Sequence, residues 1–396
     1  MERSITIPNS GSTVRVRAID TTTTMACDAS AFVRPVLKGH ERLNFKTMCF
    51  LIENESKSRR ILFDCGGRKD FWNASPHTRN MIGTYVPSLR VEKGVDEILT
   101  EVGFDLQTLD AIVWSHWHWD HIGDASKFPP HTDIVVGPGF KSNFLPGYPD
   151  DPDAFMLSSD TSGHFVDEIT FNNELRIGKF RAHDYFGDGS FYILDVPGHT
   201  IGHIGGLART TPNTFIFMGG DCCHFVGAFR PSAAVPLPDI IPQGQLDSSI
   251  PVPCPCSFFT ACHPSTTRNE HGVVNDHEVR RSPFYKVTQS ETSAYTDAQQ
   301  SQESIDHLRA FDASPDILIC LAHDNTLFDV FPLLATSPER DVNDWKAMGY
   351  KERTRWAFLN ELPRDGKPGR TPLVSGQWKD GMRISLGDDS YFHEVV

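Results

Sequence analysis

The stretch 114-WSHWHWDHIGD-124 packs three histidines and two aspartates into eleven residues, directly after the apolar run 109-LDAIV-113. A short apolar run of this kind reads as a buried strand, so the ionisable groups arrive together at a strand end. His116 and His118 lie two apart, and on an extended strand end alternate side chains share a face, so both reach one ion. If the chain turns into a helix there, Asp120 and His121 present to a neighbouring point and give a second ion its own pair. Gly123 lets that turn be tight. Neutral imidazole nitrogen and carboxylate oxygen are the natural ligands of Zn²⁺ and its neighbours. A lone buried histidine is usually hydrogen-bonded, but four chelating residues in six positions call for metal.

The pattern recurs along the chain. The runs 60-RILFDCGG-67, 190-SFYILDVPGH-199, 213-NTFIFMGGD-221 and 316-DILICLAHD-324 each read as an apolar strand followed by an aspartate or histidine. This recurrence predicts a sheet edge where polar groups converge, in a layered α/β domain. Further strands are expected over 14–20, 47–53, 133–136 and 168–175, and helices over 95–102 and 298–312. One amphipathic helix is expected over 342–362, with Trp345, Met348, Trp356, Phe358 and Leu359 as apolar anchors. It reads as packing on the core, with a homodimer face as its other use.

Between 225 and 305 the composition changes. The run 231-PSAAVPLPDIIPQGQLDSSIPVPCPC-256 has seven prolines and almost no charge, the mark of a lid or insertion. The domain expectation is therefore residues 1–330 with a lid-like insertion at 225–305, then a C-terminal helical extension at 331–396 packed on the core. Three cysteines and a histidine in 254-CPCSFFTACH-263 lack paired zinc spacing and read as a hydrophobic loop with reduced thiols. His77, His131, His164, His271, His277 and His307 read as surface or loop residues, and Trp117 and Trp119 as core packing.

The net charge of −14 and the absence of a basic run argue against a nucleic-acid surface. No window of eighteen apolar residues suggests a membrane span, and 1-MERSITIPNSGSTVRVRAID-20 has no apolar leader segment. Nine scattered cysteines read as reduced thiols, so the expected location is cytoplasmic.

The motif His-x-His-x-Asp-His after an apolar strand, followed by VPGH at His199, GGD at Asp221 and LAHD at His323, resembles the metallo-β-lactamase superfamily. The resemblance covers roughly 14–225 and 305–330. It implies an αββα sandwich and a dinuclear centre. By position, one ion takes His116, His118 and His199, the other takes Asp120, His121 and His323, and Asp221 bridges them. Asp64 matches the family's early aspartate, which supports the ligands, and His203 reads as hydrogen-bonded beside them. Cys222 reads as a structural thiol. Two Zn²⁺ are implied, although Mn²⁺, Fe²⁺ or Co²⁺ suit the same donors.

The complete ligand set is most similar to the N-acyl homoserine lactonase branch, and 184-DYFGDGSFYILDVPGH-199 with 220-GDCCHFVGAFRPS-232 looks like a fungal subgroup that opens lactones or lactams. The implied reaction is attack of a metal-bound hydroxide on the carbonyl of a small-molecule lactone or lactam, with Asp120 orienting the hydroxide. Where relatives carry a tyrosine three residues after the bridging aspartate, this chain has His224, which either donates a proton to the leaving group or merely supports the centre. The pocket wall is expected from Phe225, Phe229, Pro231, Phe258 and Phe259, with Phe186, Asp184 and Asp188 opposite. The rival expectation is a thioesterase for carrier-bound or coenzyme-bound acyl chains, with Arg176, Lys179 and Arg181 as a basic rim. A metal-binding scaffold without activity is the third, and the complete ligand set speaks against it.

Overall fold

The computed structural model describes residues 5–172, 174–266, 276–384 and 386, so His271 lies outside the described residues. Two sheets stack face to face. The first runs, in spatial order, Met382–Ile384, Gln377–Lys379, Ser88–Val91, Arg15–Asp28, Arg42–Asn54, Arg59–Phe63, Ala111–Val113, Asp133–Val136 and Val166–Glu168. The second runs Ile317–Cys320, Thr214–Met218, Ile204–Thr211, Phe191–Asp195, Phe180–Asp184 and Arg176–Ile177.

Strands covered on both faces read as unbroken apolar runs, and their alternate residues enter different layers. Ile61, Phe63, Ala111 and Val113 meet Phe191, Ile193, Ile216, Met218 and Leu318 between the sheets. Leu62 and Ile112 point outward against Ile98 and Leu99 of the helix Val95–Glu101. Phe217 and Ile319 point outward on the other side, against Ile305, Leu308 and Phe311 of the helix Ala298–Ala313. The layers are therefore helix, sheet, sheet, helix. Each such buried side chain contributes roughly 1.5–3 kcal/mol of transfer free energy, so the paired layers hold the site's frame rigid.

Three local expectations are corrected. The strand expected over 168–175 ends at Glu168, whose carboxylate accepts from the backbone N–H of Gly139 and Lys141 and so turns the chain away. The helix expected over 342–362 is broken at Gly349, which has φ +65°, into the short helix Tyr350–Thr354 and a 3₁₀ segment Ala357–Glu361. Its anchors serve two different cores, Trp345 between the sheets and Trp356, Phe358 and Leu359 in the outer cluster, which one straight helix face cannot do. Met348 is exposed and anchors nothing. The strand Ile204–Thr211 was not foreseen, because Gly205 and Gly206 are poor strand formers. Gly206 is needed there: a Cβ would stand 2.9 Å from the Phe191 ring.

Candidate metal centre

Arg59–Phe63 pairs in parallel with Ala111–Val113, and Thr214–Met218 in parallel with Ile317–Cys320. Parallel pairs align their carboxyl ends, so Asp64, the 116–121 segment, Asp221 and His323 converge on one edge. His199 joins them from the end of Phe191–Asp195. His118 is extended, with φ −61° and ψ 145°, and caps a helix of one turn, Trp119–Ile122. That change of backbone separates His116 and His118 from Asp120 and His121. Gly123 closes the turn at φ +60°, and a Cβ there would lie 2.7 Å from the Cys65 carbonyl oxygen.

The side chains form two clusters. His199 Nε2 lies 3.2 Å from His116 Nε2 and 2.9 Å from His118 Nδ1. His121 Nε2 and His323 Nε2 lie 3.6 and 3.5 Å from Asp120 Oδ2. Asp221 stands between the clusters. Its Oδ2 faces His116 and His199 at 3.7 and 3.5 Å, and its Oδ1 faces His121 and His323 at 3.1 Å each. Among the described residues, every group able to hold a metal ion lies here.

For His116, His121 and His323 the opposite ring nitrogen is fixed by a hydrogen bond, which orients the free one; His199 Nδ1 is buried without a partner. His121 Nδ1 donates to Asp64 Oδ2 at 2.9 Å, and His323 Nδ1 donates to the Lys46 carbonyl at 3.0 Å. Asp64 also accepts from the N–H and hydroxyl of Ser115, whose oxygen meets His116 Nδ1 at 3.0 Å. His203 donates from Nδ1 to the Val196 carbonyl, and its Nε2 accepts from the N–H of Asp221.

Cations fit this donor set. His121 Nε2 and Asp221 Oδ1 are fully buried and have no hydrogen-bond partner, although they face each other. Orphaned polar atoms of this kind are rare in a folded core unless something else satisfies them. Burial holds His116 and His199 well below the ordinary histidine pKa and His118 at about 3, the neutral ligating form. Burial also works against the charged form of His121 and His323, yet the carboxylates of Asp221 and Asp120 outweigh it and raise both. The second cluster is thus built to hold positive charge.

A pocket of about 290 Å³ opens above the centre. Its floor is His118, Asp120, His199, Asp221, His224 and His323, and its walls include Phe32, Phe45, Tyr85, Trp117, Phe155 and Tyr295. His224 Nε2 lies 3.0 Å from Asp221 Oδ2, so His224 sits beside the carboxylate that stands between the clusters. With Asp221 and His323 it forms a third group close enough to share a cation.

Several expected wall residues stand elsewhere. Phe186, Asp184 and Asp188 belong to the hairpin at the amino end of Phe191–Asp195, about 16 Å of strand from the His199 end. Phe186 packs on Tyr185 and Phe191. Phe225 rests against His40, Tyr285 and Phe358 in the core, and Phe229 lies under Arg230, which is paired with Asp312. Residues 291–296 line the pocket, and the Pro-rich run 231–256 does not. Trp117 and Trp119 reach the pocket as well as packing, and Trp117 contacts Phe155 at 4.6 Å. Arg176, Lys179 and Arg181 do not line it; Arg181 is tied to Asp195 at 2.6 Å. Cys222 is buried, and burial pushes its thiol well up, as suits a structural thiol.

Residues 44–211 match the model of the metallo-beta-lactamase superfamily. Across a longer span the chain is 40% identical to gamma-lactamase FDB1 of Fusarium pseudograminearum, covering 90% of this chain and 84% of that protein. The chain belongs to the metallo-beta-lactamase superfamily. It is also 37% identical to metallo-hydrolase mfmC of Annulohypoxylon moriforme, over 90% of this chain and 89% of that one. Among solved superfamily folds, a variant of B. thuringiensis AiiA with N-decanoyl-L-homoserine bound superposes with a TM-score of 0.50 at 18% identity. That match covers 81% of this chain and 98% of the other, and it supports the fold. The chain is accordingly an enzyme of this superfamily, and among the described residues no helix is long and apolar enough to cross a membrane.

Proposed function

We propose that this protein is a dinuclear metal hydrolase that opens the ring of a small lactam or lactone. The observation that carries the reading is Asp221, whose two oxygens each face a separate histidine cluster beneath an aromatic pocket. The 40% identity to a protein named as a gamma-lactamase supports a lactam as the first substrate to try.

His116, His118 and His199 would hold one cation, Asp120, His121 and His323 the other, and Asp221 both. The histidine-rich donors favour zinc. Cations held by these residues would lower the pKa of a bound water and act as Lewis acids toward a carbonyl. The remaining work falls to the chain. Asp120, buried at the pocket floor, orients the nucleophile from beside His121 and His323. The aromatic walls exclude water and hold a flat or acyl-bearing ring. His224 keeps an N–H at the floor, next to where the departing nitrogen or oxygen must receive a proton.

The test is a panel offered to zinc-reconstituted protein: γ-lactams, acyl homoserine lactones and an acyl thioester, with Asp120→Ala as the blank. Ring opening that falls at least about 100-fold in the variant is the expected result. Turnover of the thioester alone would contradict the reading.

A further inference from the structure

We infer that Tyr295 is a positioning residue for this site, holding His224 so that its Nε2–H faces the carboxylate of Asp221. The inference rests on the ring-opening reading for its kinetic consequence, but the positioning itself stands on geometry.

Tyr295 comes from the far end of the insertion, 71 residues after His224, and its hydroxyl oxygen lies 2.7 Å from His224 Nδ1. Its backbone is pinned on both sides. The N–H of Ala294 donates to the Ala31 carbonyl at 2.9 Å, and the N–H of Thr296 donates to the His199 carbonyl at 2.8 Å. The Tyr295 ring also stands edge-on to His199 and His224, with centroids 5.3 and 5.1 Å away. The phenol is thus delivered rigidly to the metal-ligand loop.

The donor assignment follows from the partners. An ionised carboxylate only accepts, so we assign the hydrogen to the His224 nitrogen 3.0 Å from Asp221, in contrast to His121 and His323, whose Nδ1 hydrogens are committed to Asp64 and the Lys46 carbonyl. Nδ1 is then bare and must accept, and the Tyr295 hydroxyl donates to it. The other ring neighbours of the imidazole are Phe32 at 4.4 Å, His199 at 4.8 Å, Phe45 at 5.9 Å and the stacked ring of His323 at 5.8 Å. The two phenyl rings have no hydrogen to give. Without the phenol, Nδ1 is buried and unsatisfied, and the ring is free to exchange tautomers and present a bare nitrogen to the carboxylate.

The experiment uses metal-loaded full chain as wild type, Tyr295→Phe, His224→Ala and the double variant. Tyr295→Phe keeps the ring contacts and removes only the hydroxyl. Nitrogen NMR of ¹⁵N-histidine protein is expected to show His224 as the Nε2–H tautomer in wild type and a shifted or mixed population in Tyr295→Phe. Both proteins should retain two metals per chain. With a turned-over ring substrate, Tyr295→Phe should lower kcat about tenfold with little change in KM. The double variant should be no slower than His224→Ala alone. An unchanged tautomer, an unchanged kcat, multiplicative losses or loss of metal in Tyr295→Phe would each overturn the inference. Wild type that opens no ring while the tautomer responds to Tyr295→Phe would sink the ring-opening reading and leave the positioning intact.

Discussion

Asp64 Oδ2 lies 2.9 Å from His121 Nδ1, and Asp64 itself holds a left-handed backbone at φ +62°. The carboxylate thereby fixes both the strand end and the direction of a ligand nitrogen. Asp64→Ala removes the acceptors of His121 and Ser115 together. The expected outcome is a 10–100-fold weaker second metal, read by chelator competition, with the first site less affected. Asp64→Asn, which tolerates the backbone and keeps one acceptor, should fall between.

Gly123 is a second lever on the same loop. A methyl group there would meet the Cys65 carbonyl oxygen and Sγ at 2.7 Å each, on a backbone at φ +60° and ψ −142° that only glycine adopts freely. Gly123→Ala should cost about 3 kcal/mol in denaturant unfolding, from strain and steric overlap together. Metal content should fall with it, because the turn positions Asp120 and His121.

On the proposed reading, the aromatic wall would hold the ring. Phe155 lies against Trp117 and His77 at the pocket. Phe155→Ala removes apolar surface from the pocket wall and leaves the histidine and aspartate floor intact. KM for a ring substrate should rise about tenfold while kcat stays within a few-fold, the signature of lost uniform binding. A fall in kcat with KM unchanged would place Phe155 in the chemistry instead.

Stability has its own pH signature. Lys351 is buried, its ammonium bonded to the carbonyls of Ser314 and Ile317, and burial pulls its pKa from 10.5 down to about 8. A depressed lysine means that between about pH 8 and 10.5 the unfolded chain binds more protons than the folded one. Stability from this group therefore rises with pH across that window and is lost as pH falls through 8. Against Lys351→Met as reference, wild type should gain up to ~3 kcal/mol between pH 7.5 and 10.5. A flat difference between the two curves would contradict the assignment.

The residues that cluster at the candidate centre were legible because they follow apolar strands, where periodicity and residue type agree. The layered fold was legible for the same reason, as in the alternation of Ile61, Leu62 and Phe63 between two cores. The pocket wall was not. Phe32, Phe45, Tyr85, Phe155 and Tyr295 come from separate segments joined only by tertiary packing, and no local pattern marks them. Phe186 misled because nearness to His199 in sequence spans the length of a strand in space. The helix over 342–362 failed because a period of apolar residues cannot tell one core from two, and Gly349 divides them.

If Asp221 joins two cation sites, ring opening needs both of them filled. The direct measurement is the rate of lactam or lactone hydrolysis as metal-free protein is titrated with zinc, alongside the bound zinc per chain. Two equivalents bound, full activity only with the second, and neither in Asp221→Ala are the expected results. Full activity at one equivalent, or two bound equivalents with no ring opened, would contradict the reading.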